Sequence, residues 1–356
     1  MGNYPVGRLI AEMRGRRKLS QEALAEGICS ASTLSKIENG GQMPSRRVYM
    51  ALLQRLGLSH RSCCIYVSEV EMRRSVLEER IEYLTETGAY HEAYGALAEY
   101  TVCGMERGGG EREARKLLAA CARRMGVTER FSDREEENIL EAVLLGAAEK
   151  RAKERLLPAL ELQYALCQMG VLREKEGRGN LRALALFRKA LGLTVGAASQ
   201  EKLAQMRLFT REELRILFHI AVISYGQGEQ TEAKRLLFLL RNYMEEEWTD
   251  PEERAMWYPG ILYQLSVWMG NDGRMDKQME FCELGIALCL RYDRLVMLPQ
   301  LLSVKGCTLA AAGQRGQAGP VLKQAYLLLQ IVGDSAGAET LREKARDLFQ
   351  MEIMTA

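Results

Sequence analysis

Apolar positions along the chain recur at spacings of three, four and seven, and no stretch alternates with the period of two that a half-buried strand requires. The pattern predicts an all-α fold. Over residues 6–58 the apolar stripes are short: Leu9, Ile10, Met13, Leu19, Leu24, Ile28, Leu34, Ile37, Val48, Leu52 and Leu56, divided by small polar joints. Ser20 stands where it caps a helix beginning Gln21-Glu22-Ala23, Ser30 where it caps one running to Glu38-Asn39, and Gly40 supplies the stop.

Beyond about residue 70 the helices recur as similar pairs. A Gly followed five positions later by a small residue appears at Gly88/Ala93, Gly228/Ala233 and Gly313/Ala318, with a weaker copy at Gly273/Gln278. The Gly ends one helix and turns the chain, and the Ala lets the next helix pack closely. Apolar residues follow four and seven positions later, as in Ala183, Phe187 and Ala190, or Ala318, Leu322 and Ala325, with Ala233, Leu237 and Leu240 close to it. The Gly markers at 228, 273 and 313 are 45 and 40 residues apart. Helix–turn–helix units at such a period resemble degenerate tetratricopeptide repeats stacked in a right-handed superhelix. Inserts at Glu174–Asn180 and Thr194–Gln205 interrupt the period, and Thr340–Met351 is expected to be a last amphipathic helix that caps the stack or dimerises.

Helix starts carry their own marks. Pro158, Pro251, Pro259, Pro299 and Pro320 are each expected at the beginning of a helix, where a missing N–H is tolerated. Ser132 with Glu135, Thr210 with Glu213 and Asp250 with Glu253 have the spacing of capping boxes. If the first helix of each pair faces the concave side of a curved stack, its inner residues include Arg215, Phe218, Val222 and Tyr225, then Tyr263 and Val267, then Gln300, Ser303 and Cys307. Gln163 and Tyr164 would line an earlier pair.

Charge divides the chain in the same place as the pattern. The net charge of the 356 residues is only +2, but residues 1–60 hold nine Lys/Arg against four acids, a net of +5, which leaves −3 for the rest. A small basic head on a faintly acidic body is the polarity expected if only the head meets nucleic acid.

The head sequence LSQEALAE, followed by SKIENG and a proline, resembles the Cro/repressor-type (XRE) helix-turn-helix family. The resemblance implies a five-helix DNA-binding domain over residues 1–66. It assigns Gln21 to anchoring the second helix on a phosphate, and Ser30, Ser32, Thr33 and Lys36 to base edges in the major groove. Arg46 and Arg47 would meet phosphates, and Asn39 the backbone or its own turn. Glu38 reads as a structural partner for a nearby Arg.

The short turn Gly27-Ile28-Cys29-Ser30, joined to an all-helical body over residues 67–356, resembles the RRNPP family of PlcR/Rgg-like, peptide-responsive transcription regulators. That resemblance implies a cytoplasmic homodimer on an inverted-repeat operator in double-stranded DNA, with a body that binds a short signalling peptide of the quorum-sensing kind. The candidate peptide contacts are Gln163, Tyr164, Arg215, Phe218, Tyr225, Tyr263, Gln300 and Ser303. A groove poor in Asn departs from the family habit of clamping the peptide backbone with that residue. The alternative is a repeat adaptor that sequesters a partner protein, with DNA binding secondary.

Other chemistry is not indicated. Gly108-Gly109-Gly110 lacks the Lys-Ser/Thr of a phosphate loop, and His60, His91 and His219 are far apart without metal-ligand spacing. Cys63-Cys64 and Cys282/Cys289 read as packing residues, and the nine cysteines as free thiols. No enzyme, no cofactor, no metal and no membrane contact is expected, and the N-terminus lacks the apolar core of a secretion signal.

Overall fold

The computed structural model describes residues 5–58, 68–103, 119, 132–150, 157–177, 180–195, 203, 206, 208–247 and 249–350. Cys63, Cys64, His60 and the Gly108–Gly110 run lie outside the described residues. The regular elements of the described residues are all helices, with no strand among them, and no helix of theirs is long and apolar enough to cross a membrane.

The chain forms two compact units, residues 1–233 and 234–356. The first begins with the head: α1 (Pro5–Arg16), α2 (Gln21–Ala25), α3 (Ala31–Glu38) and α4 (Arg46–Arg55). Ser20 caps α2 by accepting from the Ala23 N–H at 3.1 Å, and Ser30 caps α3 by accepting from the Thr33 N–H at 3.0 Å. The head core is Ile10, Leu24, Ala25, Leu34, Ile37, Tyr49, Leu52, Leu53 and Leu56. Leu9, which the pattern places in a core stripe, is instead 39% exposed. Ile10 takes the interior position beside it, because α1 meets α3 backbone to backbone there. A Cβ on Gly7 would lie 2.0 Å from the Ile37 carbonyl oxygen.

The same unit continues with α5 (Glu69–Glu86), α6 (Tyr90–Val102), α7 (Asp133–Glu149), α8 (Ala159–Lys175), α9 (Asn180–Gly192) and α10 (Arg211–Gly226). Successive helices pack as antiparallel neighbours, α5 on α6, α8 on α9 and α9 on α10, with α6 and α7 also against α8. Helix α11 (Gln230–Glu245) spans the division. The second unit holds α12 (Pro251–Asn271), α13 (Met275–Arg291), a 3-10 turn at Leu295–Met297, α14 (Leu298–Ala311), α15 (Arg315–Ile331) and α16 (Ser335–Phe349), each packed on the next.

The repeat punctuation is realised. Gly88, Gly228, Gly273 and Gly313 have φ of 79°, 92°, 73° and 78°, the left-handed conformation that ends a helix and that other residues enter only at a cost. Ala93, Ala233 and Ala318 are fully buried on the following helix. A further copy, Gly333 with φ 80° and Ala338, precedes α16. That helix therefore starts at Ser335, capped by Asp334, five residues before the expected boundary.

Two prolines depart from expectation. Pro251 and Pro299 open α12 and α14, but Pro259 and Pro320 lie inside α12 and α15. Proline's fixed φ suits a helix, but inside one each ring removes an N–H donor and crowds the carbonyl four residues earlier. A long apolar helix held by its neighbours tolerates that loss, and Pro259 is itself buried.

Candidate nucleic-acid interface and the residues that hold the head

The outer face of α3 carries the head's expected base-reading residues. Ser30, Ser32, Lys36 and Asn39 are exposed and Thr33 is half-buried. Ser30 and Thr33 hydroxyls are 2.8 Å apart, and Asn39 Nδ2 donates to Ser35 Oγ at 3.5 Å. The helix is oriented from behind by a three-helix polar knot. Arg14 on α1 donates through Nε and Nη2 to both carboxylate oxygens of Glu38, at 2.7 and 2.8 Å. Gln21 on α2 donates through Nε2 to Glu38 at 2.7 Å. Burial opposes ionisation of Glu38, but these donors outweigh it and its pKa lies below the usual carboxylate value. Glu38 is thus the structural partner that the sequence suggests, and the Gln21 amide N–H is turned inward.

The head's cations differ in what they face. Arg8, Lys18 and Lys36 are exposed. Arg46, Arg47 and Arg55 on α4 instead face carboxylates of the body within the same unit. Arg46 Nη1 lies 3.2 Å and Arg47 Nη2 2.5 Å from the two oxygens of Glu78 on α5. Arg47 also donates through Nε to Tyr100 Oη at 3.1 Å. Its guanidinium carbon lies 4.3 Å from the Tyr164 ring centre and 5.8 Å from that of Tyr100. Burial works against the Arg47 charge, yet Glu78 and its neighbours more than offset it and its pKa lies well above the ordinary guanidinium value. Burial likewise pushes the Tyr100 and Tyr164 hydroxyls up, so both stay protonated.

Arg55 is deeper. Its side chain is 2% exposed, faces a Glu213 side chain that is 0% exposed at 3.2 Å, and donates to the carbonyls of Leu24 and Glu26. Glu213 accepts from the Thr210 N–H at 2.7 Å and so closes the capping box of α10 at the same point. Gln54 Oε1 accepts from the Arg211 N–H at 3.0 Å. At Gly27, with φ 71°, a Cβ would lie 2.0 Å from the Thr194 carbonyl oxygen. The phosphate-contact assignment of Arg46 and Arg47 therefore describes side chains that this structure holds on the body. Glu78 and Tyr100 carry no mark in the sequence beyond their types, and Glu213 is marked only as the close of a capping box.

The residues expected to line an inner groove are not alike. Gln163 and Tyr164 are not surface residues: they are 1% and 2% exposed. Gln163 donates to the Ala190 carbonyl at 3.2 Å and to Thr194 Oγ1 at 2.8 Å, tying α8 to the end of α9. Arg215 is 3.2 Å from Glu82, and Phe218 and Tyr225 are half-buried on the same helix. Phe218 meets the His219 ring edge-on at 5.9 Å, and His219 stacks on Phe187 at 4.9 Å. In the second unit Tyr263 packs on the cluster of Cys289, Leu298 and Leu301. Gln300 and Ser303 are half-buried, Ser303 donating to the Pro299 carbonyl at 2.8 Å.

Residues 5–61 match the family model described as a helix-turn-helix domain. No curated protein matches the chain in sequence. Among solved structures, Bacillus thuringiensis PlcR in complex with the peptide PapR7 and DNA is 16% identical, with a TM-score of 0.51 over 94% of this chain and 98% of that one. The apo form of the same protein is 14% identical, with a TM-score of 0.49 over 96% and 98%. The apo competence regulator ComR from Streptococcus vestibularis is 14% identical, with a TM-score of 0.40 over 96% and 97%. The chain thus carries a helix-turn-helix domain at its N-terminus and has the fold of PlcR, such a head followed by tetratricopeptide-like helix pairs.

Proposed function

We propose that the protein is a sequence-specific DNA-binding transcription regulator of the cytoplasm, whose helix pairs bind a short signalling peptide and form a homodimer. The observation that carries the reading is the outer face of α3, where Ser30, Ser32, Lys36 and Asn39 stand exposed on a helix braced from behind by Arg14, Gln21 and Glu38. A helix so presented fits the major groove. Lys36 meets a guanine edge or an adjacent phosphate, and the hydroxyls of Ser30, Ser32 and Thr33 pair with either base type. Arg46 and Arg47 reach phosphates once they leave Glu78. A head with a net charge of +5 binds duplex only modestly, so two heads act together on an inverted repeat with half-sites about 34 Å apart or a multiple of it.

The peptide reading is supported by the likeness of the fold to PlcR, which has been solved with a peptide and DNA together. Arg215, Phe218 and Tyr225 in the first unit, and Tyr263, Gln300 and Ser303 in the second, are the residues offered to it. Peptide binding acts on DNA occupancy only through different affinities for the DNA-competent and incompetent states. The test is genome-wide footprinting with and without spent culture medium, on wild type and Lys36→Ala. Occupancy should concentrate at a few inverted repeats, change with medium, and be lost in the variant. Occupancy without sequence preference would refute the DNA reading, and preference indifferent to medium would refute the peptide reading.

A further inference from the structure

Three helices of the body converge on one guanidinium. Glu78 of α5 supplies a carboxylate, Tyr100 of α6 a hydroxyl and a ring face, and Tyr164 of α8 a nearer ring face, all around the side chain of Arg47. The enclosure is held by the body's own contacts. Tyr164 Oη donates to the Glu78 carbonyl at 3.4 Å, and the Tyr100 and Tyr164 rings lie 5.1 Å apart. Arg74 covers Tyr100 at 5.7 Å and is itself tied to the Cys103 carbonyl at 2.6 Å. The Glu78 carboxylate is shared with Arg46, and the Tyr100 hydroxyl accepts from Arg47, which enters from a different part of the chain. Both tyrosines are buried with Arg47 in place.

The chemistry of the box is selective. Two tyrosine rings attract a flat cation through their faces. The carboxylate and the hydroxyl accept from Nη2 and Nε in two directions at once, which a planar guanidinium fork satisfies and a single ammonium does not. An anion would be repelled by Glu78. The occupant in this structure is the residue that the proposed function sends to a phosphate, and on that reading the box empties when α4 departs.

We propose that Glu78, Tyr100 and Tyr164 form a guanidinium-reading subsite for an arginine side chain of the body's effector, occupied here by the chain's own Arg47. An arginine-bearing ligand and α4 then compete for one site, and a peptide without arginine lacks this lever on the head. The proposal rests on the reading that the body takes a peptide, but its test does not use that peptide.

The experiment is titration of the full chain with N-acetyl-arginine amide, followed by NMR, with N-acetyl-lysine amide and N-acetyl-citrulline amide as comparisons. Removing the occupant with Arg47→Ala should open the box. The variant should bind the arginine amide at least ten-fold tighter than wild type does and at least ten-fold tighter than it binds the uncharged citrulline amide. The lysine amide should fall between. Adding Tyr164→Ala should abolish the gain. Arg47→Gln, which keeps more of the side-chain volume, repeats the test if the alanine variant unfolds. Equal binding by wild type and both variants, or equal binding of arginine and citrulline amides, overturns the proposal. Either outcome leaves the response of DNA occupancy to spent medium as a separate test of the peptide reading.

Discussion

Arg47 of the head and Glu78 of the body meet at 2.5 Å, with the Arg47 guanidinium lying over the ring of Tyr164. The residue whose position in the head points to a phosphate is thereby paired 31 positions further along the chain. Arg46 shares the same carboxylate. Glu78→Gln removes the charge that holds both. It should tighten binding to a generic 30-base-pair duplex roughly three- to ten-fold at low salt and steepen the salt dependence by about one to two phosphate contacts. Fluorescence anisotropy across a salt series reads both quantities. An unchanged slope would mean that neither arginine is withheld from DNA.

Two glycines separate the integrity of the head from its seat on the body. Gly7→Ala puts a Cβ 2.0 Å from the Ile37 carbonyl oxygen, between α1 and α3. Neither backbone can yield without spreading the head, so its amides should lose protection from hydrogen exchange throughout α1–α3. Gly27→Ala meets the Thr194 carbonyl at the same distance and adds the strain of φ 71°, about 1–2 kcal/mol. Its effect should centre on α4 and the contact with the body, leaving Ile10 and Leu34 packed. Mass-spectrometric hydrogen exchange distinguishes the two patterns, and identical patterns would contradict the assignment.

These contrasts also explain what the sequence discloses. Gly88, Gly228, Gly273 and Gly313 are legible because a helix stop needs a left-handed residue at a fixed place, a local requirement. The caps Ser20 and Ser30 are local too. Gln163 and Tyr164 are not legible, because α8 is buried on every side from Leu160 to Arg173 and shows no stripe to tell a groove from a core. The seat of Arg47 on the body is not legible for a related reason. Its partner Glu78 sits in a charged helix next to Glu79 and near Glu82, and nothing local distinguishes the acid that receives an arginine from those facing water. Pro259 carries a local signal that tertiary packing overrides.

The Arg55–Glu213 pair should be the most sensitive charge in the first unit. Both side chains are almost wholly buried, and Glu213 also caps α10. Removing one member leaves the other charged in a dry site, a loss of about 3–5 kcal/mol. Glu213→Ala should lower stability by that amount in denaturant titration. Glu213→Gln, which retains the cap geometry, should recover part of the loss. A cost below about 1 kcal/mol for the alanine variant would mean that water reaches Arg55.

Cys282 and Cys289 in the second unit should make that unit sensitive to alkali. Both are fully buried. Burial raises each thiol to about 11, an effect that a hydrogen bond with Ser266 moderates at Cys282. The unfolded thiol ionises near 9, so below that pH both states hold the proton and the full contribution to stability is present. Between about 9 and 11 the unfolded state gives up its proton first and folding stability falls, by up to about 3 kcal/mol per thiol. At pH 8 neither thiol should react with iodoacetamide until the unit unfolds, which mass spectrometry reads directly. Alanine at both positions removes the titration while leaving cavities whose cost is the same at any pH. The stability difference between wild type and the double variant, measured at pH 8 and at pH 10.5, should therefore shrink as pH rises. A difference that stays constant would place the alkaline sensitivity on other groups, and rapid alkylation at pH 8 would show that the helix pair opens around them.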